Sequence, residues 1–350
     1  MSDRRQATNI ELGLDTFGDV TFGTDGRPLS HPEVLRNVVT EAIAADEIGI
    51  DFFGVGEHHR PDFSISAPEV MLATIAGRTN RIKLASAVTV LSSDDPVRVY
   101  ERFATLDALS NGRAEVILGR GSFTESFPLF GYDLQDYDVL FEEKLDLFAK
   151  LLDAEPVIWS GTTRAPLTGQ RVYPTTAGRL RAWVGIGGNP QSVVRAARYG
   201  FPLTVAIIGG DPMRFAPLVD LYRRALEEFG HPKLPVAAHG PGHVSDSDEQ
   251  ALDELWPHYE VMINRIGRER GWPPTTRAQY EATAGPNGAL MVGSPDTVAE
   301  KIIRSVSGLG LSRFSLKYSA GTLPHETMMR SIELYGTKVA PLVREHAGSS

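Results

Sequence analysis

Four stretches of the chain place residues able to do chemistry directly behind short apolar runs. Gly56-Glu57-His58-His59 sets a carboxylate and two imidazoles after the run Asp51–Gly56. Such groups suit proton transfer, anion contacts or metal ligation. Adjacent side chains of an extended segment point to opposite faces, so His58 and His59 are poorly placed to share one ion. No pair of histidines sits four apart on a helix, and no metal site is expected. The structural alternative is a rim histidine held by ordinary hydrogen bonds. Gly119-Arg120-Gly121-Ser122 ends a second run and offers a fork of guanidinium donors beside unobstructed backbone, which suits phosphate. Its alternative is an arginine paired with a rim carboxylate.

The third stretch is Gly185-Ile186-Gly187-Gly188-Asn189-Pro190-Gln191-Ser192: a tight glycine turn, an Asn cap, Pro at the first helical position and Ser in the first turn. Free backbone N–H groups and the positive end of a helix dipole make such a start an anion site. It is no dinucleotide fingerprint, because Pro190 stands at the place of the third glycine. An ordinary capped helix is the alternative. The fourth stretch, Leu84–Leu91, ends in small residues that leave room for a flat ring against backbone, though by periodicity it is only a buried strand.

These stretches need elements to position them. Short β-rich runs alternate with segments of helical period, the pattern of βα units on a parallel sheet. The predicted strands are Ile10–Asp15, Asp51–Gly56, Ile82–Val88, Ala114–Gly119, Ala182–Gly187, Leu203–Ile208, Leu234–His239 and Arg313–Lys317. Helices are predicted at Pro32–Ile48, Pro68–Arg78, Pro96–Ser110, Asp138–Leu152, Pro190–Tyr199, Pro212–Phe229, Asp248–Arg270 and Pro324–Val343. Eight strands favour a (β/α)8 TIM barrel with insertions over a doubly wound sheet, and put the chemistry on its C-terminal rim. Residues 1–350 read as one domain, with Gly-, Pro- and Thr-rich segments near 155–180 and 271–293 as insertions or lids. A frayed tail is expected at Ala347–Ser350.

Composition narrows the partners. The 350 residues carry 35 basic and 44 acidic side chains, for a net charge of −9, and no basic cluster, so nucleic acid and anionic membranes are poor candidates. Zero cysteines exclude disulfides, thiolate metal sites and cysteine nucleophiles, and fit a reducing, cytoplasmic home. Met1–Asn9 has no apolar stretch behind it and does not read as a signal peptide.

At the residues quoted, the chain resembles the bacterial luciferase-like (LLM class) flavin-dependent oxidoreductases, the superfamily of luciferase α subunits and alkanesulfonate monooxygenases. The similar stretches are Asp51–His59, Ile82–Pro96, Leu106–Ser122, Gly185–Ser192 with Tyr199-Gly200, and Val292–Val298. The resemblance implies a TIM barrel, usually dimeric, with FMN at the rim. It implies His58 as the active-site histidine and Arg120 near the flavin phosphate. Gly187, Gly188, Asn189 and Ser192 fall on the phosphate-binding turn, and a non-prolyl cis peptide is expected at Ala87–Val88. Two departures stand out: Gly188 replaces a glutamate of luciferase, and a second phosphate-contacting arginine is replaced near Asp138. The implied activity is a monooxygenase acting on a small organic substrate with O2 and reduced FMN from a separate flavin reductase. The alternatives are an F420-dependent hydride-transfer dehydrogenase and a non-catalytic flavin-binding protein.

Overall fold

Eight runs rich in β-branched, aromatic and aliphatic residues form parallel strands: β1 (Glu11–Thr16), β2 (Phe52–Val55), β3 (Lys83–Ser86), β4 (Ala114–Gly119), β5 (Arg181–Ile186), β6 (Leu203–Ala206), β7 (Val236–Val244) and β8 (Arg313–Lys317). The computed structural model describes residues 10–23, 25–153 and 155–349, so the reading of Met1–Asn9 lies outside it. Each strand pairs with its neighbour in sequence, and β8 pairs with β1. The sheet therefore closes into the expected (β/α)8 barrel.

Inward positions stack in layers. The lowest is ionic: Arg313 NH1 donates to Glu115 Oε2 at 2.7 Å, and Glu11 and Arg181 join the same network. Above it Phe52, Ala85, Ile117, Trp183 and Ala237 form an apolar plug, with Arg313 stacked 4.5 Å over Phe52 and 4.7 Å over Trp183. Arg313 and Glu115 are both buried, and each keeps a second partner in the network, Glu11 for Arg313 and Arg181 for Glu115. The plug closes the bottom and leaves the C-terminal mouth as the place for chemistry.

Helices form the outer ring, started by caps legible in the sequence. Asp95 accepts from the Val97 N–H at 2.8 Å to start Pro96–Leu109, and Asn189 Oδ1 accepts from Gln191 at 2.8 Å to start Pro190–Arg198. One expectation is corrected between β7 and β8. The ring helix there is Pro295–Leu309, which packs between Ala216–Glu228 and Ala340–Ser349 and was absent from the predicted set. Asp248–Arg270 exists with its predicted bounds but belongs to an insertion that also holds Arg277–Ala284 and a short strand, Met291–Gly293, paired with β7.

The segment near 155–180 holds an antiparallel hairpin, Val157–Trp159 with Leu167–Gln170. It docks on helix Tyr137–Leu151: Trp159 Nε1 donates to Asp146 at 2.8 Å, and the Thr162 and Thr163 N–H groups bond Glu143. The terminal helix runs through Ser349, where fraying was expected from Ala347. Among the described residues no helix is long and apolar enough to cross a membrane.

Candidate active site

The ends of β2, β3, β4 and β5 bring all four chemical stretches to one rim. After β2 the chain turns at Gly56, where a Cβ would collide with the Phe17 ring, and the two histidines then diverge. His59 Nε2 lies 2.9 Å from Glu57 Oε1, while Glu57 Oε2 accepts the Val90 N–H at 2.8 Å. Glu57 and His59 thus brace the chain just past β3. His58 instead enters a box of rings: Phe63 at 4.5 Å, with Phe17 and Phe123 edge-on at 4.8 and 5.0 Å.

Burial in this box, opposed in part by Asp19, lowers the His58 pKa to about 4. The imidazole is neutral at neutral pH and keeps one nitrogen to donate and one to accept. Its Nδ1 stands 4.0 Å from Glu125 Oε1, beyond hydrogen-bond reach.

The Ala87–Val88 peptide is cis, as the resemblance implied. Inward glycines make room for it. A Cβ on Gly54 would stand 2.9 Å from the Ala87 methyl, one on Gly185 3.0 Å from Val88, and one on Gly119 would collide with Val88. Ala87 and Val88 are half-buried and lie across the top of the barrel as a floor of small groups.

On the next two strands, Leu118 of β4 pairs with Val184 of β5, so Arg120 and the Gly187-Gly188 turn follow the ends of adjacent strands. Gly188 has φ +117°, a conformation open to glycine, and a Cβ on Gly187 would meet nothing within 4 Å. Pro190 opens the helix and Ser192 is buried in its first turn. Arg120 makes the carboxylate pairing that the sequence left open: NH1 donates to Asp138 Oδ1 at 2.8 Å, and the guanidinium lies 5.1 Å over the Tyr137 ring. Asp138 is 79% exposed, so this pair is worth at most about 1 kcal/mol.

These residues fit a flat ring carrying a phosphate. The small-group floor offers the ring a face, and the open Gly187-Gly188 turn exposes backbone donors at a helix start. Asp138, paired with Arg120, opposes an anion there.

Helix Asp248–Arg270 reaches the same rim. Glu269 holds Arg60 through two bonds of 2.8 and 2.5 Å, and Arg60 also lies 4.5 Å over Phe123. Arg270 stacks over Phe123 and Trp272 at 5.4 and 5.3 Å. The reading of the sequence missed Phe17, Phe63 and Phe123, and with them Asp15, His239 and Lys317, whose Nζ pairs with Asp19 at 3.0 Å and lies 4.8 Å over the Phe17 ring. The last three had a signal: ionisable residues at inward positions of apolar strands, at or toward the end where barrels keep their sites.

The profile of the luciferase-like monooxygenases matches residues 16–313. The chain belongs to that family. Membership makes it an oxidoreductase. It is 34% identical over 346 residues to limonene 1,2-monooxygenase of Rhodococcus erythropolis, covering 93% of this chain and 87% of that one. Two solved structures share its fold. The oxygenating constituent of 3,6-diketocamphane monooxygenase from Pseudomonas putida, in complex with FMN, superposes with TM-score 0.77 at 21% identity, covering 95% of this chain and 98% of that one. The coenzyme F420-dependent tetrahydromethanopterin reductase of Methanopyrus kandleri does so with TM-score 0.71 at 18% identity, covering 95% and 99%.

Proposed function

We propose that this member of the family is a monooxygenase that uses reduced FMN and O2 on a small organic substrate. The observation that carries the reading is the arrangement of one rim. Arg120 and the open Gly187-Gly188 turn follow the ends of adjacent strands, and the floor of small groups at Ala87 and Val88 lies in the same mouth as the neutral His58. Gly187, Gly188, Asn189 and Ser192 hold the phosphate with Arg120, and Ala87 and Val88 support the ring. When bound, reduced FMN supplies the electrons that activate dioxygen.

The chain's own part is to bind, orient and exclude water. Phe17, Phe63 and Phe123 keep the mouth dry around His58, whose neutral ring offers one hydrogen-bond donor and one acceptor without bringing a charge. The family's monooxygenase relatives support this reading. A separate flavin reductase supplies the reduced cofactor, and the working form is a cytoplasmic homodimer.

Anaerobic titration of the purified chain with FMN, reduced FMN and F420 tests the proposal. Reduced FMN should bind, and Arg120→Ala should weaken it by roughly ten- to a hundredfold, the range for one hydrogen bond to a charged group. Asp138→Asn should tighten it by removing the competing carboxylate. Binding of F420 with indifference to both flavins replaces this reading with the hydride-transfer dehydrogenase. FMN binding in that titration, with no substrate oxygenated when air is then admitted to the reduced complex, leaves a flavin-binding protein.

A further inference from the structure

A second ionisable group occupies the mouth on the side away from the phosphate turn, built from β1, β7 and β8. His239 and Ser315 are register partners on adjacent strands, and both reach Asp15. His239 Nδ1 lies 2.8 Å from Asp15 Oδ2, and the Ser315 hydroxyl donates to the same oxygen at 2.6 Å. Asp15 is 1% exposed, and its Oδ1 is sealed from solvent with no partner. A carboxylate so costly to bury needs a strong donor, and the imidazole supplies one.

The consequence lies on the other nitrogen. With Nδ1–H held by the carboxylate, the lone pair belongs to Nε2. Among the described residues Nε2 makes no hydrogen bond, and it is not among the atoms sealed from solvent. The His239 ring stacks on Phe17 at 6.3 Å with planes 24° apart, and Phe17 meets His58 at 4.8 Å. One phenyl ring therefore separates two imidazoles, of which only His239 is backed by a carboxylate through its own ring nitrogen.

We propose that His239 is the general base of this site, with Asp15 and Ser315 as positioning residues, and that it serves a substrate bearing an ionisable hydroxyl on a flat apolar body. The inference rests on the reading of the mouth as the substrate site. In the step, the substrate O–H bond breaks and its electron pair stays on oxygen. The proton forms a new bond to Nε2, and the resulting imidazolium is countered by Asp15. Loss of that proton to water restores the ring. The flat body lies against Phe17 and its neighbouring rings, which fixes the hydroxyl near His239.

Two measurements on the full chain, neither involving flavin, test this. The first uses m-nitrophenol, which is protonated in neutral buffer. Bound to the wild type its absorbance should move toward the phenolate band. His239→Gln and Asp15→Asn should lose that band, whereas Ser315→Ala should keep part of it. A bound phenol that stays protonated, a phenol that does not bind, or a phenolate band that survives in His239→Gln overturns the proposal. The second needs no variant: histidine 15N shifts of the wild type in mildly alkaline buffer should show the Nδ1–H tautomer at His239. The reverse tautomer overturns it. FMN titration of the same samples separates the readings, because lost flavin binding with these signals intact removes the monooxygenase and leaves the base.

Discussion

His58 stays unprotonated because three phenyl rings strip its water, while Asp19 and Asp62 return only part of the lost stabilisation. Its pKa falls from 6.5 in the unfolded chain to about 4 in the fold, so between those values the unfolded chain takes up a proton that the folded chain refuses. Stability contributed by the neutral ring is full above about pH 6.5 and is lost as pH falls toward 4, a loss of about 3 kcal/mol. His58→Gln should remove this part of the acid sensitivity. Urea unfolding of both proteins at several pH values across the window checks it; parallel curves for the two mean that His58 titrates normally. At this scale the sequence was legible in position, since His58, Arg120 and Asn189 follow strand ends as expected. It was silent on the ring box, because Phe17, Phe63 and Phe123 come from three separate loops and no local pattern links them.

Among the elements, helix Asp248–Arg270 carries most of what sequence reading misplaced. Its bounds were legible from Ser247, which caps it, and from Gly271, whose φ of +69° ends it. Its role was not, since the order of elements says nothing about which helix fills the ring between β7 and β8. That place goes to Pro295–Leu309, whose own signals were present in Ser294-Pro295 at the start and Gly310 at the end. With the ring slot filled, Asp248–Arg270 is free to lie against the mouth, and the Arg60–Glu269 pair fixes its last turn to the loop after β2. Arg60 is also held by Asp62 at 3.2 Å, which gives the loop side of this clasp an anchor of its own. Glu269→Gln should therefore speed amide exchange in the helix's last turns while the loop after β2 stays protected. The melting temperature should shift by only a few degrees, as expected for a rim ion pair of up to about 1 kcal/mol. Exchange by mass spectrometry reads the difference, and equal protection in the two proteins shows that the clasp does not hold the helix.

One outer face of the barrel carries an apolar groove. Helices Pro68–Ala76 and Pro96–Leu109 enclose a groove of about 850 Å³ with Tyr173 and Pro174. Val70, Leu109 and Tyr173 stand 67%, 68% and 64% exposed on or beside it, large apolar groups that a monomer has no reason to present together. The same face carries both signs of charge, with Arg98 bonded to Glu101 at 2.9 Å and Arg102 lying 3.6 Å from Glu69. Across a two-fold axis through this face, charged side chains of the two copies would meet and the apolar groups of both would be covered, the self-complementarity a closed dimer requires. The proposed homodimer is therefore expected to form here, away from the mouth, with each barrel keeping its own site. Light scattering on the wild type at micromolar concentration should give twice the chain mass. Leu109→Glu combined with Val70→Glu should give the single mass without loss of FMN binding, because neither residue approaches the phosphate turn or the Ala87–Val88 floor. A wild type that runs as a monomer, or a double variant that remains dimeric, removes this face from the assembly.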